Sequence, residues 1–63
     1  MYELRLFIVG GSMPKVTETV AHSADVLTKI PLMLEANPGC ERIDVHFGGA
    51  RLFSVGCDGN TIG

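Results

Sequence analysis

The chain has 63 residues, 46% of them hydrophobic, with seven carboxylates against five lysines and arginines and a formal charge of −2. This composition excludes disorder driven by low hydrophobicity, and the five scattered cations lack the clustering that general nucleic-acid affinity needs. A domain of this size buries roughly 60% of its chain surface and holds a core worth about 3–5 kcal/mol, so a staple or a partner is a common supplement.

Tyr2 to Val9 alternates charged Glu3 and Arg5 with apolar Leu4 and Leu6, then turns apolar on both sides through Phe7, Ile8 and Val9. That pattern predicts a strand whose second face is partly covered. Gly10 and Gly11 end it. Ser12 is a good N-cap and Pro14 suits a first helical turn. Val16, Val20, Ala24, Leu27, Ile30 and Leu34 then follow at spacings of three and four, which predicts one apolar helix face. Pro31 is expected to kink that helix or to open a separate short turn. Asn37, Pro38 and Gly39 terminate it.

Ile43, Val45 and Phe47 alternate with Arg42, Asp44 and His46, as a half-buried strand does. Gly48-Gly49 is a two-residue hairpin signal, and Arg51 to Cys57 makes the returning strand. With those glycines as the loop, Phe47 faces Ala50, Val45 faces Leu52 and Ile43 faces Ser54 on the core side. His46 faces Arg51, Asp44 faces Phe53, Arg42 faces Val55 and Cys40 faces Cys57 on the other. A slip of one residue would exchange the faces. The expected fold is therefore a single α+β domain over residues 1–63 of β-α-β-β order. One helix packs on a three-stranded sheet, with a C-terminal antiparallel hairpin and the first strand parallel in direction to the second. Leu4, Leu6, Ile8, Val20, Leu27, Ile43, Val45, Phe47 and Leu52 are the expected core.

No apolar run approaches the roughly 20 residues of a spanning helix. Leu6–Val9 is too short for a secretory leader, and Glu3 precedes it. The expected compartment is the cytoplasm, with no membrane association, where Cys40 and Cys57 are normally reduced small hydrophobes. A cross-strand disulfide between them is geometrically conceivable.

The search for chemistry yields no catalytic residue, metal ligand set or cofactor. There is no Cys-x-x-Cys motif. His46 lies about six residues along the strand from the cysteines, too far to share an ion at roughly 3.3 Å per residue. Ser12, Ser23 and Ser54 form no Ser-His-acid grouping. Gly10-Gly11-Ser12 before a helix could hold a phosphate but lacks the spacing and Lys-Ser/Thr pair of a P-loop. Asp58-Gly59-Asn60 lacks the remaining ligands of a calcium loop and reads as a turn.

Several stretches resemble the DinI-like proteins, small modulators of the RecA filament in enterobacteria and their phages. They are the N-terminal strand, the Ser12-Met13-Pro14 entry, Leu27-Thr28-Lys29-Ile30 near the helix end, Arg42-Ile43-Asp44-Val45-His46-Phe47 and Leu52-Phe53-Ser54-Val55-Gly56. The resemblance implies a small regulator or inhibitor of a host protein, encoded by a phage or mobile element and acting by contact. The acidic C-terminal helix of that family has no counterpart here, so none of its residues is carried over. The alternative is a subunit resembling the small tautomerases of 4-oxalocrotonate type. It would lack their N-terminal proline, since Tyr2 follows Met1.

The expectation is a non-enzymatic protein-interaction module. With Leu4, Leu6 and Ile8 toward the helix, Phe7, Val9, Phe53 and Val55 should share an open sheet face rimmed by Arg5, Arg42, Asp44, His46 and Arg51. An apolar centre with a polar rim describes a contact surface. The expected partner is a second copy in a two-fold dimer or another protein, not a nucleic acid. The competing expectation is that residues after Asp58 fold back over those side chains.

Overall fold

The computed structural model describes residues 1–62 and contains β1 (Tyr2–Ile8), β2 (Val16–Val20), α1 (Ser23–Ala36), β3 (Cys40–Phe47) and β4 (Ala50–Gly56). The chain is an α+β fold with one helix on one antiparallel sheet and a C-terminal hairpin. The strand that precedes the helix is joined by a further one, β2, and the sheet order is β2-β1-β3-β4.

β2 occupies the stretch expected to open the helix. Val16-Thr17-Glu18-Thr19-Val20 is β-branched at four of five positions, which restricts χ1 and favours a pleated surface. Val16 and Val20 lie four residues apart, a spacing that serves a helix face and one side of a strand equally. Ser12 therefore caps nothing. Gly10-Gly11-Ser12 belongs to the β1–β2 connection, where the Gly11 N–H donates to the Ile8 carbonyl at 3.0 Å and the Lys15 N–H to the Leu6 carbonyl at 2.8 Å. With no helix following it, this loop loses the argument for phosphate binding. The added reversal also makes β1 antiparallel to β3, not parallel in direction.

α1 begins after His22, which is extended at φ −123° and ψ 147°, and Asp25 sits in its first turn where the helix dipole favours an anion. Pro31 lies within one continuous helix and is exposed. It leaves the Leu27 carbonyl without its usual donor. Asn37 closes the helix: its backbone N–H donates to the Leu34 carbonyl at 3.3 Å and its Nδ2 to the Met33 carbonyl at 2.8 Å. The buried face is Val26, Ile30 and Met33.

Leu4, Leu6, Ile43 and Val45 are fully buried and form one cluster with the helix face, Cys40 and Val55. Five expected core residues differ. Val20 is only partly buried because β2 is an edge strand, and Ile8 stands at the end of β1 beyond a register shift. Leu27 is 70% exposed, since the helix core runs through Val26, one residue away and about 100° round. Phe47 is exposed where β3 enters the hairpin turn, and Leu52 because it is an additional residue in β4.

Gly48 and Gly49 adopt φ of +61° and +84°, the double positive φ of a type I′ turn. Phe47 pairs with Ala50 and His46 with Arg51, as the turn dictates. The register then shifts between Val45 and His46, so Val45 meets Phe53, Ile43 meets Val55, Asp44 meets Ser54 and Arg42 meets Gly56. Leu52 is the additional residue of a β-bulge. That one residue moves Phe53 and Val55 to the helix side, as a period-two element requires.

Cys40 and Cys57 form a disulfide with Cα atoms 5.6 Å apart. This corrects the expectation of two reduced cysteines. The bond ties the start of β3 to the residue after β4 and closes a loop spanning 17 positions, a constraint worth about 3 kcal/mol. After it the chain turns back through Asp58-Gly59-Asn60. The Gly56 N–H donates to the Asn60 carbonyl at 2.8 Å and the Ile62 N–H to the Ser54 carbonyl at 2.9 Å, so the tail runs antiparallel to the outer edge of β4.

Candidate binding site

The two faces of the sheet have opposite chemistry. By register, Glu3, Arg5, Phe7, Thr17, Thr19, Arg42, Asp44, His46, Arg51 and Ser54 lie on the face away from the helix. This face is polar. Asp44 is buried at its centre, accepting from the Ser54 hydroxyl at 2.6 Å and from Arg42 Nε at 3.1 Å. Arg51 Nη1 donates to Ser54 Oγ at 3.2 Å, and Arg5 donates to Glu3. Arg42 also donates to Glu41 and lies 4.2 Å above the centre of the Phe7 ring. Among the described residues no buried side-chain polar atom lacks a partner. The hydrogen-bonding capacity at the centre of this face is spent on itself.

The apolar open face expected around Phe7, Val9, Phe53 and Val55 is therefore divided. Phe7 stays on the polar face, buried beneath Arg42, together with Arg5, Arg42, Asp44, His46 and Arg51. Val9 lies past the end of β1 and is exposed. Phe53 and Val55 face the helix because of the Leu52 bulge. The tail after Asp58 does fold back, but along the edge of β4.

The open apolar surface lies on the helix side. α1 packs over β1 and β2, bound to the latter by Lys29, whose Nζ lies 3.1 Å from Glu18. β4 lies at the other edge of the sheet, and the space between it and the helix is unfilled. A cavity of about 480 Å³ opens there between Leu27, Val26, Val45, Phe53, Leu52 and Tyr2. A second, of about 500 Å³, continues past Leu27 and Phe53 to Pro31, Leu34, Val55 and Cys57. Shared walls make them one groove, apolar beside Leu27, Leu52 and Phe53 and bordered by Asp58, Gly59 and Thr61 at its other end. At its upper end Tyr2 packs against Phe47 with ring centres 4.7 Å apart. At its lower end stands Asp58, whose carboxyl is held below its ordinary pKa by hydrogen bonds from the backbone and side chain of Asn60, both at 3.0 Å.

Sequence reasoning missed Leu27 and Leu52 as site residues because both fitted a core pattern. The signal for Leu27 was present: Val26, Ile30 and Met33 make a second stripe beside Leu27, Ile30 and Leu34, and only one can face the core. Nothing local announced Leu52. Among the described residues no group of three metal-ligating side chains is close enough to hold an ion, and no helix is long and apolar enough to cross a membrane. Comparison with known proteins finds no matching family model, no matching curated protein and no matching solved structure.

Proposed function

We propose that this chain is a non-enzymatic binding module that takes a protein segment into the groove between α1 and β4. The observation that carries this reading is the groove itself. It is a largely apolar surface left open because the helix covers the opposite half of the sheet, with Leu27 70% and Leu52 53% exposed. A concave apolar surface beside exposed leucines is the default place to seek a binding site. The self-satisfied polar face, with Asp44 and Glu3 already engaged, supports contact over catalysis. The resemblance to DinI-like modulators points the same way, toward a regulator or inhibitor of a host protein. The strand β2 departs from that family's order and its acidic C-terminal helix has no counterpart here, so the resemblance supplies neither a partner nor a contact residue.

The test is a titration of isotope-labelled chain with a panel of short apolar peptides. Amide shifts clustered at Leu27, Leu52 and Phe53 are expected. Shifts confined to the polar face, or no shift with any peptide, would overturn the reading.

A second reading is a homodimer through the same groove, favoured by the exposure of Leu27 and Leu52. Sedimentation across a wide concentration range separates it from a monomeric receptor. The Cys40–Cys57 bond bears on location. Such bonds persist in oxidising compartments, whereas the cytoplasm keeps thiols reduced, so the disulfide supports an oxidising surrounding over the cytoplasm. Thiol titration of chain purified from its native source tests this, with no free thiol expected.

A further inference from the structure

We infer that the groove's ligand is an amphipathic helix, basic at one end, which lies beside α1 over β3 and β4 with its basic end at Asp58. The inference rests on the binding reading above and specifies the ligand's form and charge.

The dimensions of the sheet point to a helix. α1 lies over β1 and β2, to one side of the order β2-β1-β3-β4. Paired strands are about 4.8 Å apart, so the β3–β4 pair is centred about 9.6 Å from the β1–β2 pair. Packed helices lie about 8–10 Å apart, axis to axis. A second helix over β3 and β4 would therefore touch α1 and the sheet together. In the other direction, α1 borders the groove from Ser23 to Leu34. At 1.5 Å per residue that is about 16 Å, or about three turns of helix. The ligand thus needs one large apolar side chain per turn on one face. These would seat against Leu27, Leu52 and Phe53 at the upper end and against Pro31, Leu34 and Val55 at the lower. An amphipathic helix in an apolar groove is a recurrent mode of recognition, and it needs no free backbone group on β4.

The charge of the groove specifies the helix further. No lysine, arginine or histidine lines it. Its lower end is negative from three sources. Asp58 borders it and is exposed. Glu35 follows Leu34 in the last turn of α1, is exposed and forms no ion pair among the described residues. α1 itself ends there without a basic residue in its last turn, so nothing on the helix offsets the negative end of its dipole. Lysine or arginine at one end of the ligand complements all three. A second copy does not provide this. The chain carries a formal charge of −2, and Lys29, the one basic residue of α1, is held by Glu18.

The probe is an acetylated, amidated, alanine-rich peptide of about four turns, with one leucine per turn on one face and two arginines in its last turn. Chemical shifts of the full chain and the peptide's circular dichroism are followed together. Binding should shift Leu27, Leu52 and Phe53 and raise the peptide's helicity. A proline at the peptide's centre should weaken binding roughly a hundredfold. Replacing the arginines by glutamine should weaken it roughly fivefold, and that difference should vanish in Asp58→Asn. The variant keeps a side-chain oxygen to accept from the Asn60 N–H, and an unchanged melt verifies its fold. If the proline peptide binds as well and still shifts Leu27 and Phe53, a helical ligand is wrong and the groove reading survives. If arginine and glutamine peptides bind equally, the basic end is wrong and this proposal fails. If no peptide shifts any groove residue, both readings fall. If Overhauser contacts fill the groove without peptide, at any chain concentration, the chain is its own occupant and the proposal is overturned.

Discussion

The two faces of this sheet solve the same problem in different ways. On the helix side, burial is apolar but incomplete: the helix lies over β1 and β2, and β4 is left beside a groove. On the other side no element covers the strands, yet Phe7, Asp44 and Ser54 are buried. There the cover is made of side chains, with Arg42 lying over Phe7 and the Arg42–Asp44–Ser54–Arg51 chain closing the centre. A small domain can thus seal one sheet face with hydrogen-bonded long side chains and leave its apolar opening on the other.

The contrast breaks most severely at the fully covered core. Leu6→Ala should cost about 2–5 kcal/mol through lost burial and the cavity left behind, which a denaturant melt would register as loss of most of the domain's stability. Reduction of Cys40–Cys57 should follow at about 3 kcal/mol, measured by melts with and without reductant. On the polar face, Ser54→Ala removes the hydroxyl that donates to buried Asp44. It should cost about 1–3 kcal/mol, and an equal melt would show that the network is not what seals this face.

The groove should behave in the opposite sense. Leu27→Asp is expected to move stability by no more than about 0.5 kcal/mol, as exposed positions do, while abolishing peptide shifts. A large loss of stability there would return Leu27 to the core. The smallest effect belongs to Asp58. Its carboxyl pKa is lowered by the Asn60 hydrogen bonds, so its contribution is present above the ordinary aspartate value and is lost as pH falls through the lower folded value. A carboxyl titration followed by NMR should place its midpoint below the ordinary aspartate value.

Much of the fold was legible where the determining interactions are local. Gly48-Gly49 announced a type I′ turn because few other residues tolerate two positive φ values in succession, and alternation identified β1 and β3. The N-terminal half was harder. Val16 and Val20 fit two periods, and the seven-residue connection from Ile8 to Val16, although it contains Gly10-Gly11, is too long to be read as a two-residue hairpin. Of the expected surface, Arg5, Phe7, Arg42, Asp44, His46 and Arg51 do share a face, since β1 and β3 were read in the correct alternation.

The sequence alone determined the α+β class, the hairpin turn, the alternation of β1 and β3 and the position of the two cysteines near its open end. Each depends on backbone preference or on residues a few positions apart. Tertiary structure decided the rest: that β2 joins the sheet, that Val26 and not Leu27 faces inward, and that the cysteines are bonded. It also placed the Leu52 bulge, which sends Phe53 and Val55 to the helix side and opens the groove. A bulge is a choice between two registers of nearly equal local cost. The deciding free energy is the burial of Val55 against Ile43 and the closing of Ser54 on Asp44, contacts ten or more residues apart that no local pattern contains.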